Sequence, residues 1–183
     1  PAAIAATLGR DPSLAPLLRA FPGIRAPGAW SLYESAVRAV IGQQVSTLAA
    51  RGICARLAAA TSEDPEHLVF PPARALASLG DSHFPMPGRR RETLRGLCLQ
   101  FSGREELLDL ESLASTPGIG PWTLAMVAMR GAGDPDAFPT RDLGLERAWE
   151  GIAASGPALR EQTALWRPWR SYAANLLWRS YSQ

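Results

Sequence analysis

Lysine is missing altogether: each of the 19 basic residues is an arginine. Schiff-base chemistry through a side-chain amine is therefore excluded, and only the α-amino terminus could attempt it. Cysteine is scarce as well. Cys54 and Cys98 stand far apart in apolar helical contexts and read as buried free thiols, which fits a cytosolic protein. Two cysteines cannot supply the four thiolates of an iron–sulfur cluster. The only histidines, His67 and His83, lack the spacing of zinc ligands. No apolar run approaches the ~20 residues of a membrane span. No basic region precedes an apolar core at the start, so no signal peptide is visible. No window alternates with β-branched residues as a strand would, and there is no repeat or low-complexity tract.

What is present is helical. The 183 residues suit one domain or two small lobes with room for a real core. Short helices are expected over 3–8 and 12–19. Ser31 with Glu34 forms a capping-box pattern ahead of a helix carrying Val37, Val40 and Ile41 on one face. That helix pauses over 42–46, where Ser46 can cap a second helix reaching about residue 60, with Leu48, Ile53 and Leu57 inward. Further helices are expected over 73–79, 89–101 (Leu94, Leu97 and Cys98 apolar), 110–115, 121–130, 142–154, 157–165 and 167–181. The fold class is all-α, in two lobes with a cleft between them. One lobe is expected from about 1–38 plus 155–183, the other from 39–154.

Net charge is only +2, which alone does not point to nucleic acid. An arginine-only chain suits bidentate phosphate binding, and a GC-rich genome explains it equally well. Arg89, Arg90 and Arg91 open a helix, where their charge opposes the dipole, and they read as a solvated run.

The stretch from Leu113 to Leu145 organises the rest. Pro117-Gly118-Ile119-Gly120 is a tight turn between two helices, and Pro121 suits a first helical position. The N–H groups at such a helix start form a phosphate site that carries no side chain able to read a base. A loop rich in Gly, Pro and Asp then delivers Asp142 to the start of another apolar helix, where the dipole favours its charged form. Asp134 and Asp136 precede it in the loop as weaker candidates.

This conjunction resembles the helix-hairpin-helix DNA glycosylase superfamily, within it the bacterial 3-methyladenine DNA glycosylase II branch. Residues 40–46 (VIGQQVS) and 166–173 (WRPWRSYA) support that branch. The resemblance runs from about Phe21 to the end. It implies base-excision repair by a base-flipping enzyme acting on double-stranded DNA that contains alkylated bases. Asp142 is the implied catalytic carboxylate, framed by Phe138-Pro139 and Leu143-Gly144-Leu145. The implied base pocket holds Trp122 and Trp178, with Met126 where an aromatic is expected, and Trp30 and Tyr33 as lesser members. A cationic alkylated purine suits such aromatics. DNA contacts are implied for Gln43, Gln44, Ser46, Gly118, Ile119, Gly120 and Thr123, with Gln44 at the wedge position. The carbonyls of Ala114, Thr116 and Ile119 are implied to hold a monovalent cation, sodium or potassium; no other cofactor is expected.

Trp122 fills the place of a Schiff-base lysine in bifunctional members, so hydrolysis without strand cleavage is expected. Arg141 replaces an acidic residue of the branch. The branch also implies an α/β lobe ahead of the segment equivalent to 1–20. That lobe is expected to be missing, either because this is an excised piece of a longer fused chain or because it is a minimal version. A monomer in the bacterial cytoplasm, associated with the nucleoid, is expected. The competing reading is a non-catalytic DNA-binding or lesion-sensing domain of a larger regulator.

Overall fold

The computed structural model describes residues 2–64, 66–153 and 156–181. Eleven α-helices and no strand occur among the described residues. In chain order they are α1 (Ala2–Leu8), α2 (Ala15–Ala20), α3 (Leu32–Gly42), α4 (Thr47–Thr61), α5 (Ala73–Ser78), α6 (Gly88–Phe101), α7 (Leu110–Ala114), α8 (Pro121–Arg130), α9 (Leu143–Ile152), α10 (Leu159–Gln162) and α11 (Arg170–Tyr181). None is long and apolar enough to cross a membrane.

Local chemistry sets most of the helix starts. The Ser31 hydroxyl accepts from Glu34 N (3.1 Å) ahead of α3, and Ser46 accepts from Ala49 N (3.2 Å) ahead of α4. Asp109 and Ser112 bond reciprocally to open α7, and Pro121 stands at the first turn of α8. The expected apolar faces of α3 and α6 are buried: Val37, Val40, Ile41, Leu94, Leu97 and Cys98. Cys54 is half-buried, and neither cysteine is bonded to the other.

Two side chains depart from expectation. Leu48 points outward, 82% exposed, because it falls on the first turn of α4, off the face shared by Ile53 and Leu57. Arg90 is only 7% exposed, since it lies one turn before Thr93 and Leu94 on the buried face of α6; the arginine run is therefore not uniformly solvated.

The buried residues form two hydrophobic clusters. The first includes Val37, Ile41, Leu57, Leu76, Leu94, Leu97, Leu113 and Val127. The second includes Leu8, Leu14, Met129, Leu145, Trp149, Trp166, Leu176 and Leu177. This division differs from the expected lobes. All of α3 belongs with the first core. Helix α9 belongs with the second, because Leu145, Ala148 and Trp149 join the core that α11 builds as it packs along α9. Helix α8 spans both, with Val127 in one and Met129 in the other. Trp178 and Leu110 pack against both. The expected end of α9 at Ala154, and the lobe bounds at Pro1, Ser155 and Gln183, lie outside the described residues.

Candidate active site

Asp142 is the N-cap of α9. Its Oδ1 accepts from Leu145 N (2.9 Å), which satisfies one of the unpaired amides at the helix start. Its other partners come from far away. Trp122, in the first turn of α8, donates its indole N–H to Asp142 Oδ2 at 2.9 Å. Trp178, near the end of α11, donates to Oδ1 at 3.0 Å. The carboxylate is thus fixed by three N–H groups at the seam between the two cores, and it remains half-buried rather than sealed. Both tryptophans are half-buried too, so neither is simple core. Gly144 makes room for this arrangement: a Cβ there would stand 3.1 Å from Asp142 Oδ1 and 3.5 Å from the Trp178 ring.

The loop that carries Asp142 is held from behind by the start of α11. Arg170 donates twice to the Asp136 carboxylate, at 2.8 Å each, and Arg167 adds an ion pair at 3.3 Å. Partial burial pushes Asp136 up, but the Arg170 and Arg167 contacts outweigh it and hold the carboxyl below the usual range. Asp134 accepts from Asp136 N (2.8 Å), while Ser171 donates to the Asp134 and Ala137 carbonyls. Asp134 and Asp136 therefore shape the loop, and Asp142 alone of the three meets the tryptophans. Sequence reading missed the Arg170–Asp136 pair, because the partners lie 34 positions apart.

The hairpin lies beside the junction of α3 and α4. Gly118 has φ +85°, and a Cβ there would collide with Thr93 Oγ1 of α6, so glycine is required twice over. Ile119 N donates to the Thr116 carbonyl (3.1 Å), closing the turn, and the Ile119 side chain is buried. Gln43 reaches across from the end of α3, donating through Nε2 to the Gly118 carbonyl (3.2 Å) and to Thr123 Oγ1 (3.0 Å). Thr123 is thereby placed beneath the hairpin, 2% exposed, and is not available as a direct strand contact. The Ser46 hydroxyl is occupied as a helix cap on an otherwise exposed residue. Gln44 is exposed with φ +56°, and Arg141, beside Asp142, has φ +64°. These are the only non-glycine residues with positive φ among those described. Such backbone is costly and tends to persist at functional sites. Nothing in the local sequence announces either.

The remaining expected pocket residues lie elsewhere. Met126 is buried in the first core, one turn beyond Trp122. Trp30 is 97% exposed. Tyr33 is buried with its hydroxyl 3.8 Å from Cys98 Sγ, and burial pushes its phenol well above the ordinary range. Trp30 and Tyr33 line a different cavity of about 640 Å³, shared with Glu34, Arg38 and Phe70.

No protein-family model matches the chain. Over 195 residues it is 41% identical to the probable bifunctional transcriptional activator/DNA repair enzyme AlkA of Mycobacterium tuberculosis, an alignment covering 97% of this chain and 39% of that protein. Over 173 residues it is 32% identical to DNA-3-methyladenine glycosylase 2 of Escherichia coli, covering 86% of this chain and 60% of the relative. The chain thus spans less than two thirds of the length of either. Among solved structures, Schizosaccharomyces pombe 3-methyladenine DNA glycosylase (Mag1), in complex with abasic DNA, matches with a TM-score of 0.79 at 20% identity, covering 98% of this chain and 96% of that one. At that identity the likeness is one of fold.

Proposed function

Because the chain belongs to the helix-hairpin-helix DNA glycosylase superfamily, we propose that it hydrolyses the N-glycosidic bond of alkylated purines of the 3-methyladenine and 7-methylguanine class in double-stranded DNA. The observation that carries this reading is the Asp142 carboxylate, half-buried and held by the Trp122 and Trp178 indoles.

The chemistry follows from charge. A damaged base must leave the stack before an enzyme can reach its glycosidic bond. As that bond breaks, positive charge grows on the deoxyribose, as in other glycosyl transfers. A carboxylate already fixed by N–H donors stabilises that charge without reorganising. Water adds its hydroxyl to the sugar C1′ carbon, its proton is released, and the base departs with the bonding electron pair. A methylated cationic purine leaves as a neutral base, so one carboxylate suffices. With no lysine in the chain, the strand stays intact and the product is an abasic site.

The electron-rich faces of Trp122 and Trp178 suit a cationic base. The Gly118–Gly120 turn ahead of α8 would hold a phosphate through backbone N–H groups, and Gln44 would fill the gap left by the extruded nucleotide. The carbonyls of Ala114, Thr116 and Ile119 run from the last residue of α7 through the turn to α8, and a monovalent cation held there would share the Thr116 carbonyl with Ile119 N, which donates to it at 3.1 Å. It would brace the turn and take no part in the reaction. We propose further that the protein works as a monomer in the bacterial cytoplasm, on the chromosome. The two indole donors on Asp142 go beyond what capping α9 requires, which favours catalysis over a lesion-sensing domain.

The test is release of methylated purines from alkylated duplex DNA. The wild-type protein is expected to release them, and Asp142→Asn to bind the same DNA without release. Binding with no release from either protein would favour the sensing domain.

A further inference from the structure

Arg130, the last residue of α8, is half-buried, and its Nε lies enclosed with no acceptor. An enclosed donor of this kind costs free energy and requires an explanation. No carboxylate lies within ion-pairing distance of it among the described residues. Its guanidinium instead covers the face of Trp178, with Cζ 5.6 Å from the ring centroid. That same indole holds Asp142. Burial and the neighbouring Arg38 charge both disfavour the Arg130 cation, and the Asp142 carboxylate is the opposite charge that favours it. Arg38 has its own partners, Glu34 at 2.7 Å and the Phe70 ring at 5.0 Å. The Arg130 backbone is fixed as well, since its carbonyl accepts from Ala29 N at 2.7 Å, just before the start of α3. A cation carried on a fixed backbone thus rests on the ring that aims the carboxylate.

We propose that Arg130 is a positioning residue of this site: its guanidinium clamps the Trp178 ring, and the clamped indole N–H fixes the angle of Asp142. A cation over tryptophan is the strongest form of such a contact, and partial burial strengthens it further. The kinetic consequence rests on the glycosylase reading, but the clamp itself does not.

The experiment compares Arg130→Met, Arg130→Gln and Arg130→Lys. The first readout is the indole ¹H–¹⁵N resonance of Trp178, identified by its loss in Trp178→Phe. In the neutral variants that resonance should broaden or move toward the position of a solvent-bonded indole; Arg130→Lys, which keeps a cation, should retain it. The second readout is base release: kcat should fall about 10- to 100-fold in the neutral variants, as misplacement of a reacting group predicts, with KM little changed and Lys restoring most of the loss. An unmoved Trp178 resonance in a folded neutral variant overturns the proposal, as does an Arg130→Lys protein that behaves like Arg130→Met. If neither neutral variant folds, Arg130→Lys decides alone, by keeping or losing the resonance. A wild-type protein that releases no base would overturn the glycosylase reading and leave the resonance test intact.

Discussion

The Trp122 indole donates to the Asp142 carboxylate at 2.9 Å across 20 positions of sequence. One residue belongs to the hairpin's second helix at the edge of the first core, the other caps a helix of the second. Trp122→Phe keeps the ring and removes the donor. Base release should fall about tenfold, through misalignment of the carboxylate, with about 1 kcal/mol lost in stability. The Trp122→Phe/Trp178→Phe pair should show a loss that differs from the sum of the two singles, since both donors act on one group. Single-turnover kinetics measures this.

Asp142→Asn and Asp142→Ala separate the two tasks of that residue. Asn caps a helix about as well as Asp, but its NH2 cannot accept from an indole N–H, so Asp142→Asn should cost about 1 kcal/mol, while Asp142→Ala, which loses the cap and both indole bonds, should cost about 2–3 kcal/mol. Both should lose about 100- to 1,000-fold in release, because neither offers a negative charge to the sugar. Equal losses in release with unequal thermal stability is the expected pattern.

Gly144→Ala sets helix propensity against the site. Alanine inside a helix is favoured over glycine by roughly 0.5–1 kcal/mol, yet its Cβ would press on Asp142 Oδ1 at 3.1 Å. Thermal stability should hold or rise while release falls about tenfold. A variant as active as the wild type would show that the carboxylate can shift freely.

Gly118→Ala meets both a left-handed backbone and Thr93. The backbone alone costs roughly 1–2 kcal/mol, and the collision adds to it. Thr93→Ala in the same protein should recover part of the loss. Duplex affinity should weaken, and its salt dependence should flatten as a phosphate contact is lost. Equilibrium binding at several salt concentrations reads both.

Gln43→Ala cuts the two hydrogen bonds between the end of α3 and the hairpin. Stability should fall by about 1 kcal/mol and duplex affinity with it. Release from DNA already bound should persist, because Asp142 and its tryptophans are untouched.

Features set within a few residues of one another were legible before any coordinates. Ser31, Ser46 and Asp142 cap their helices because each side chain meets an amide three positions on. The Pro-Gly-Ile-Gly turn and the faces of α3 and α6 follow from the same short range. Leu48 and Arg90 escaped this reading because which face of a helix is buried depends on the neighbour it meets.

The sequence by itself determined an all-helical chain, a glycine-containing turn between two helices, an acidic cap at residue 142 and, through the missing lysine, the exclusion of side-chain amine chemistry. Tertiary structure alone decided that Trp122 and Trp178 converge on that cap, that Met126 and Tyr33 are core, that Asp136 belongs to Arg170, and that Arg130 rests on Trp178. The reason is range. A cap or a turn is settled by torsions and hydrogen bonds within one turn of chain, whereas the grip on Asp142 exists only once two separately packed cores have met along α8.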